Sequence, residues 1–277
     1  MSFQYSLRHS TLARVLMFPF MNLTRGIRML TYKRGKDAAY IRKLKDSHKG
    51  ERCFIIGNGP SLELKDLNAL KDEFCFGMNR IYELFPKTSW RPQCYSIVDI
   101  YMIQRNIKKI QNMEVPIVLA DVTAKKYITS DSNIHLINVC DPFTIEKYTD
   151  KVVNKIKFSD KADICLRQGY TVTYICIQLA VYMGFKEIYL IGMDHSFSRS
   201  IGSNGKVIVN KSIKNHFYSG GDSVDVCQFT NGVEYAYAMA RKECEKRGII
   251  IKNATRGGYL EVFERINLDE IINAKEG

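Results

Sequence analysis

Arg52-Cys53-Phe54-Ile55-Ile56-Gly57-Asn58-Gly59-Pro60-Ser61 decides the fold. Cys53 to Ile56 is apolar at every successive position. A strand that alternates apolar and polar residues covers one face only, whereas an unbroken apolar run is expected where both faces are covered. Gly57 to Ser61 then reads as a tight turn. Leu64, Leu67 and Leu70 follow at helical spacing. A buried strand, a short turn and a helix form the opening of a βαβ unit.

Working outward, the pattern repeats. Phe74-Cys75-Phe76-Gly77-Met78 and Cys94-Tyr95-Ser96-Ile97-Val98 read as strands, with shorter candidates at Val115–Leu119 and Ile134–Val139. Thr171 to Met183 reads as a helix that is apolar nearly all round, stopped by Gly184. Glu187-Ile188-Tyr189-Leu190-Ile191 is a further strand. Val233 to Arg247 is a helix stopped by Gly248, and Ile249-Ile250-Ile251 is a last strand. The expectation is an α/β, Rossmann-like fold: a mostly parallel sheet flanked by helices, with right-handed crossovers. In such sheets ligands bind beyond the carboxyl ends of the strands. Asn58, Asn79, Asp99 and Asp194 each follow an apolar strand and are expected to converge there.

The net charge of +12 is unevenly spread. Residues 1–50 hold 11 Lys and Arg against Asp37 and Asp46, a net +9, which leaves +3 for the rest. Residues 1–49 are read as a basic, amphipathic, helical arm, and residues 50–277 as one Rossmann-like domain. The longest uncharged run of the arm, Val15 to Thr24, is 10 residues and contains Pro19. A spanning helix needs about 20 apolar residues, and no small-residue cleavage site follows. An interfacial segment on an anionic membrane fits this composition, as does a helix packed on the body or on another subunit. The expected location is cytoplasmic, peripheral on the inner face of the membrane. Eight cysteines without a C-x-x-C pair read as reduced and buried, and metal-ligand spacing is absent.

Several segments could carry chemistry. Gly57 and Gly59 would let backbone approach a phosphate, with Ser61 capping the next helix. A ligand-free turn uses the same residues. The third glycine of a dinucleotide fingerprint is missing, because Leu62 stands there, and no Gly-Lys-Ser/Thr follows. Asn79 can donate to a phosphate or ribose. Asp99 and Asp194 could hold ribose hydroxyls or a cation, or simply cap helices. Residues 195–221 hold Arg199, Lys206, Lys211 and Lys214, no acid, and four glycines. A basic, glycine-hinged loop after a strand end reads as a lid over an anionic substrate. His195 and His216 flank it, and either could act as a base near neutral pH.

Three segments taken in order carry a resemblance: Phe54 to Leu62, Phe76-Gly77-Met78-Asn79-Arg80-Ile81-Tyr82, and Gly184 to His195. They resemble the hydroxymethylpterin diphosphokinase MptE-like family, and are similar to bacterial sialyltransferases of the Campylobacter type. The resemblance runs over residues 50–265. It implies a glycosyltransferase of bacterial surface-glycan biosynthesis, with a nucleotide-activated donor, the CMP-linked, sialic-acid-like class among them. Asn58, Asn79 and Asp194 match the donor-site positions, and Asp99 stands where those enzymes carry an asparagine. Arg167 resembles an arginine just before the long helix, which opens at Thr171. The histidine in the lid corresponds to His216, with His195 as competitor, and Tyr218 is the tyrosine of the lid. The implied partners are a nucleotide-sugar donor and a glycan acceptor; the basic arm adds an anionic membrane and a second copy of the chain, and nucleic acid is not expected. No cofactor is required for that transfer. The alternatives are an MptE-like diphosphokinase moving diphosphate from ATP to a small alcohol with Mg2+, and a non-catalytic nucleotide-binding protein.

Overall fold

The computed structural model describes residues 11–128, 133–140, 155–197, 199–201, 207–210, 212, 216–217 and 230–273. The chain begins with a helix, α1 (Thr11–Lys33), followed by α2 (Lys36–Lys43). The alternating part runs β1 (Arg52–Ile56), α3 (Leu64–Ala69), β2 (Cys75–Met78), β3 (Cys94–Ile97), α4 (Ile100–Gln111), β4 (Ile117–Asp121) and β5 (Ile134–Ile137). Short 3₁₀ segments at Ile81–Lys87 and Val122–Tyr127 take the place of full helices after β2 and β4. Then come α5 (Val172–Met183), β6 (Glu187–Ile191), a small hairpin of β7 (Arg199–Ile201) and β8 (Val207–Val209), α6 (Thr230–Lys246), β9 (Ile250–Asn253), β10 (Glu264–Arg265) and α7 (Leu268–Asn273).

Eight strands form one sheet in the order β10-β9-β6-β1-β2-β3-β4-β5. Every pairing in it is parallel. The chain builds from β1 outward through β5, then returns to the other side of β1 as β6. Strand order therefore reverses between β1 and β6, and the two are in register from Arg52↔Glu187 to Ile56↔Ile191. A crevice is expected at the carboxyl ends of that pair, because the connections leave it in opposite directions.

The apolar run in β1 has a direct physical reason. Cys53 and Ile55 point into a layer shared with Tyr174, Ile175 and Leu179 of α5. Phe54 and Ile56 point the other way, into a layer with Leu67, Leu70 and Trp90. Both faces of the strand are covered, so neither tolerates polar residues. The same logic explains α5: all its residues except Val181 are buried, as expected for a helix between sheet and outer helices. Gly184 ends it with a positive φ of 91°.

Within the arm, α1 runs as a continuous helix through Pro19. Tyr32 fixes its end, donating its hydroxyl to the Leu136 carbonyl at 2.8 Å. No helix among the described residues is long and apolar enough to cross a membrane. The described cysteines are all free thiols, and burial pushes those of Cys75 and Cys176 up to about 12. The hairpin β7–β8 is regular structure inside the stretch read as an irregular lid. Most of that stretch, including Tyr218, Lys206, Lys211 and Lys214, lies outside the described residues.

Candidate functional site

A cavity of about 170 Å³ opens at the switch between β1 and β6. Gly57, Asn58 and Gly59 border it after β1, Asn79 after β2, and Gly192 to Phe197 after β6. Thr171, Val172 and Thr173 bring the N-terminus of α5 to its wall, while His216, Val233, Tyr237 and Leu260 close the remainder. Three strand ends expected to converge from sequence, at Asn58, Asn79 and Asp194, border one space.

Gly57 and Gly59 stand where the ends of β1 and β6 meet. A Cβ on Gly57 would lie 2.3 Å from the Gly192 carbonyl oxygen, and one on Gly59 only 1.7 Å from Asp194 Oδ2. Their smallness lets the β1 and β6 ends touch each other. Most of the turn's N–H groups are similarly engaged. Those of Gly57 and Gly59 donate to the Ile191 and Gly192 carbonyls, and that of Leu62 to Gly59. The Ser61 N–H donates to the Asp194 carboxylate at 3.3 Å, and its hydroxyl donates to Oδ2 at 2.7 Å. Ser61 therefore holds Asp194 and does not cap α3, whose N-cap is Glu63 with no side-chain bond. This turn acts as a β1–β6 clasp, with the Gly57, Gly59, Ser61 and Leu62 N–H groups already bonded.

Donors face the cavity elsewhere. The 12-residue helix α5 is N-capped by Thr171, whose side chain accepts from the Thr173 N–H at 3.3 Å. Tyr237, on α6, hydrogen-bonds with both threonine side chains, and burial raises its pKa. Clustered hydroxyls at the positive end of a helix suit an anion. Asn58 Nδ2 donates to the Met78 carbonyl at 3.1 Å, while its Oδ1 is buried without a partner. Such an acceptor is costly unless a ligand donor meets it. Asn79 has φ of 50° and His195 of 53°. Two non-glycine residues in the left-handed region at one cavity are strain of the kind found at functional sites.

Two histidines border the space. His195 is nearly buried, with Nε2 3.1 Å from Glu234 Oε1, and its ring packs near Phe197 and Tyr237. His216 keeps an exposed edge. Desolvation lowers its pKa below the usual imidazole value, and the Arg80 charge adds to this, while a hydrogen bond with the Asn58 backbone opposes both. Among the described lining residues, Asp194 is the one carboxylate and none is Lys or Arg.

Two predicted site residues lie apart from the cavity. Asp99 caps α4, its Oδ1 accepting from the Tyr101 and Met102 N–H groups at 2.8 and 3.0 Å. Arg167 donates through Nη1 to the Cys140 carbonyl at 2.9 Å. Its backbone is strapped to α5 by Gln178, which accepts the Arg167 N–H and donates to its carbonyl. Conversely, Glu234 and Tyr237 were not singled out from sequence. They sit three apart on one face of α6, a spacing that carries no signal until the helix is known to flank a cavity.

A family model described as 6-hydroxymethylpterin diphosphokinase MptE-like matches residues 30–200. The chain belongs to the MptE-like family. The MptE-like match takes in Asn58, Asn79, Thr171, Asp194 and His195, and ends before His216, Glu234 and Tyr237. Among solved structures, the chain is similar to the sialyltransferase CstII from Campylobacter jejuni in complex with a substrate analogue, cytidine-5'-monophosphate. Identity is 16%, covering 79% of this chain and 85% of that one, with a TM-score of 0.41. The same enzyme in complex with CMP-3FNeuAc gives 14%, 78% and 86%, and 0.41. No curated protein matches the chain.

Proposed function

We propose that this MptE-like chain is a glycosyltransferase of surface-glycan assembly, using a nucleotide-activated sugar of the CMP-linked acidic class. The observation that carries the reading is the convergence of Asn58, Asn79 and Asp194 on one cavity with the start of α5 and two histidines. The donor phosphate would face the positive end of α5 and the hydroxyls of Thr171, Thr173 and Tyr237. The unpartnered Asn58 Oδ1 would take a hydrogen bond from the nucleotide.

In the transfer, His216 accepts the proton of the acceptor hydroxyl. That oxygen attacks the anomeric carbon as the bond from this carbon to the phosphate oxygen breaks, and the nucleotide leaves with the electron pair. Two features support His216 in this role. Its exposed edge lies where an acceptor glycan can arrive, and its lowered pKa keeps the ring neutral near pH 7. His195, buried beside Glu234, would border the donor instead. Negative charge on the departing phosphate is stabilised by preorganised donors at the helix start.

The MptE-like match favours a second reading, transfer of diphosphate from ATP with Mg2+. Calorimetric titration of the full chain with CMP, UMP, GDP and ATP, with and without Mg2+, separates the two. The glycosyltransferase reading expects CMP to bind best and without need of Mg2+. Tightest binding of ATP, and only with Mg2+, would overturn it in favour of the diphosphokinase.

A further inference from the structure

The face of α1 turned away from the body is apolar. Leu16, Phe20, Leu23, Ile27 and Leu30 are between 52% and 71% exposed. Their spacing is 4, 3, 4, 3, with leucine at every seventh residue: 16, 23 and 30. This is a heptad seam, with leucine at one core position and Phe20 and Ile27 at the other.

The flanks of the seam matter as much. From Val15 to Thr31 no exposed residue of the helix is charged. The cations in that span turn elsewhere: Arg28 donates to the Val139 carbonyl at 3.2 Å, and Arg25 is half-buried. A helix lying on anionic lipid rims its apolar face with Lys and Arg that reach the headgroups. This face lacks such a rim over four turns. A chain of net charge +12 meets another copy of itself most easily through an uncharged surface.

We infer that α1 is a dimerisation helix, whose seam pairs with the same seam of a second copy. With roughly 200 Å² for a fully exposed large apolar side chain, the five seam residues present on the order of 600 Å² per copy. Pairing two copies buries on the order of 1,200 Å² in total, the lower bound of stable interfaces. The contact is self-complementary, as a two-fold interface requires.

Sedimentation velocity of the full chain over a concentration series tests this, with the double variant Leu23→Glu/Ile27→Glu and the off-seam control Ala39→Glu. The expected result is a dimer for the unaltered chain and the control, and a monomer for the seam variant. Far-ultraviolet circular dichroism and melting of the sheet domain should match in all three. A monomeric unaltered chain overturns the inference, and so does a dimer that survives in the seam variant. Vesicles of phosphatidylserine and phosphatidylcholine supply the remaining arm. A monomer that sediments with them through the same seam shows that lipid, not a second copy, covers the helix.

Discussion

The Ser61 hydroxyl donates to Asp194 Oδ2 at 2.7 Å, joining the turn after β1 to the turn after β6. These are the two strands between which the sheet order reverses, so the bond holds the walls of the cavity together. Ser61→Ala removes one donor from a carboxylate that is only 9% exposed. Hydrogen bonds to charged groups contribute about 1.5–3 kcal/mol each. The variant should melt several degrees lower and bind CMP more weakly. An unchanged melting temperature in calorimetry counts against the clasp.

Gly59→Ala should be worse. The added Cβ meets both the Asp194 carboxylate and, at 2.7 Å, the Gly192 carbonyl oxygen, which is backbone and cannot rotate away. Forcing such a contact costs roughly 1–3 kcal/mol or more. Both stability and nucleotide binding should fall. A Gly59→Ala protein as stable as the parent would mean that β1 and β6 can part without cost.

The sheet was legible because burial on both faces writes itself as unbroken apolar runs, as in Cys53–Ile56 and Ile188–Ile191. Helix α5 was legible for the same reason. The roles of Gly57, Gly59 and Ser61 were not. A glycine needed for close approach to a ligand and one needed for close approach to the Gly192 carbonyl look identical in sequence. Asp99 and Asp194 both follow strands, yet one caps α4 and the other borders the cavity; only the strand order separates them. Asn58 was readable as a site residue, but its bond to the Met78 carbonyl was not. A charge placed there by Asn58→Asp would disturb the fold as well as the ligand. The heptad on α1 was hidden because the basic residues interspersed in its sequence do not show which way they turn.

Arg256 ties the segment after β9 to α3. Its guanidinium reaches both oxygens of Asp66 at 2.9–3.1 Å and also bonds Asp269, and these bonds raise its pKa further. Asp66 is 2% exposed. Arg256→Ala leaves that carboxylate buried without its cation, a loss of about 3–5 kcal/mol for such pairs. Denaturant unfolding should show a lower midpoint. A change within about 0.5 kcal/mol would mean that water reaches Asp66 once the arginine is gone.

The pH dependence of transfer distinguishes the two histidines. Desolvation and the Arg80 charge lower the His216 pKa below the usual value of about 6.5. The ring therefore stays neutral, and able to accept a proton, somewhat further into acid than a free imidazole. With His216 as base, kcat/KM should be flat around neutrality and fall as pH drops through that lowered pKa. His216→Ala should remove this acid limb and reduce turnover by about 10²–10⁴-fold, with donor affinity retained. His195→Ala should instead weaken donor binding and leave the limb in place, because its ring is buried against Glu234 beside the strand end. Rates must be compared at saturating donor, so that a binding defect is not read as a chemical one. Loss of the acid limb in His195→Ala with near-normal turnover in His216→Ala reverses the assignment. Full activity in both variants removes either histidine as base, and with it the proposed proton transfer.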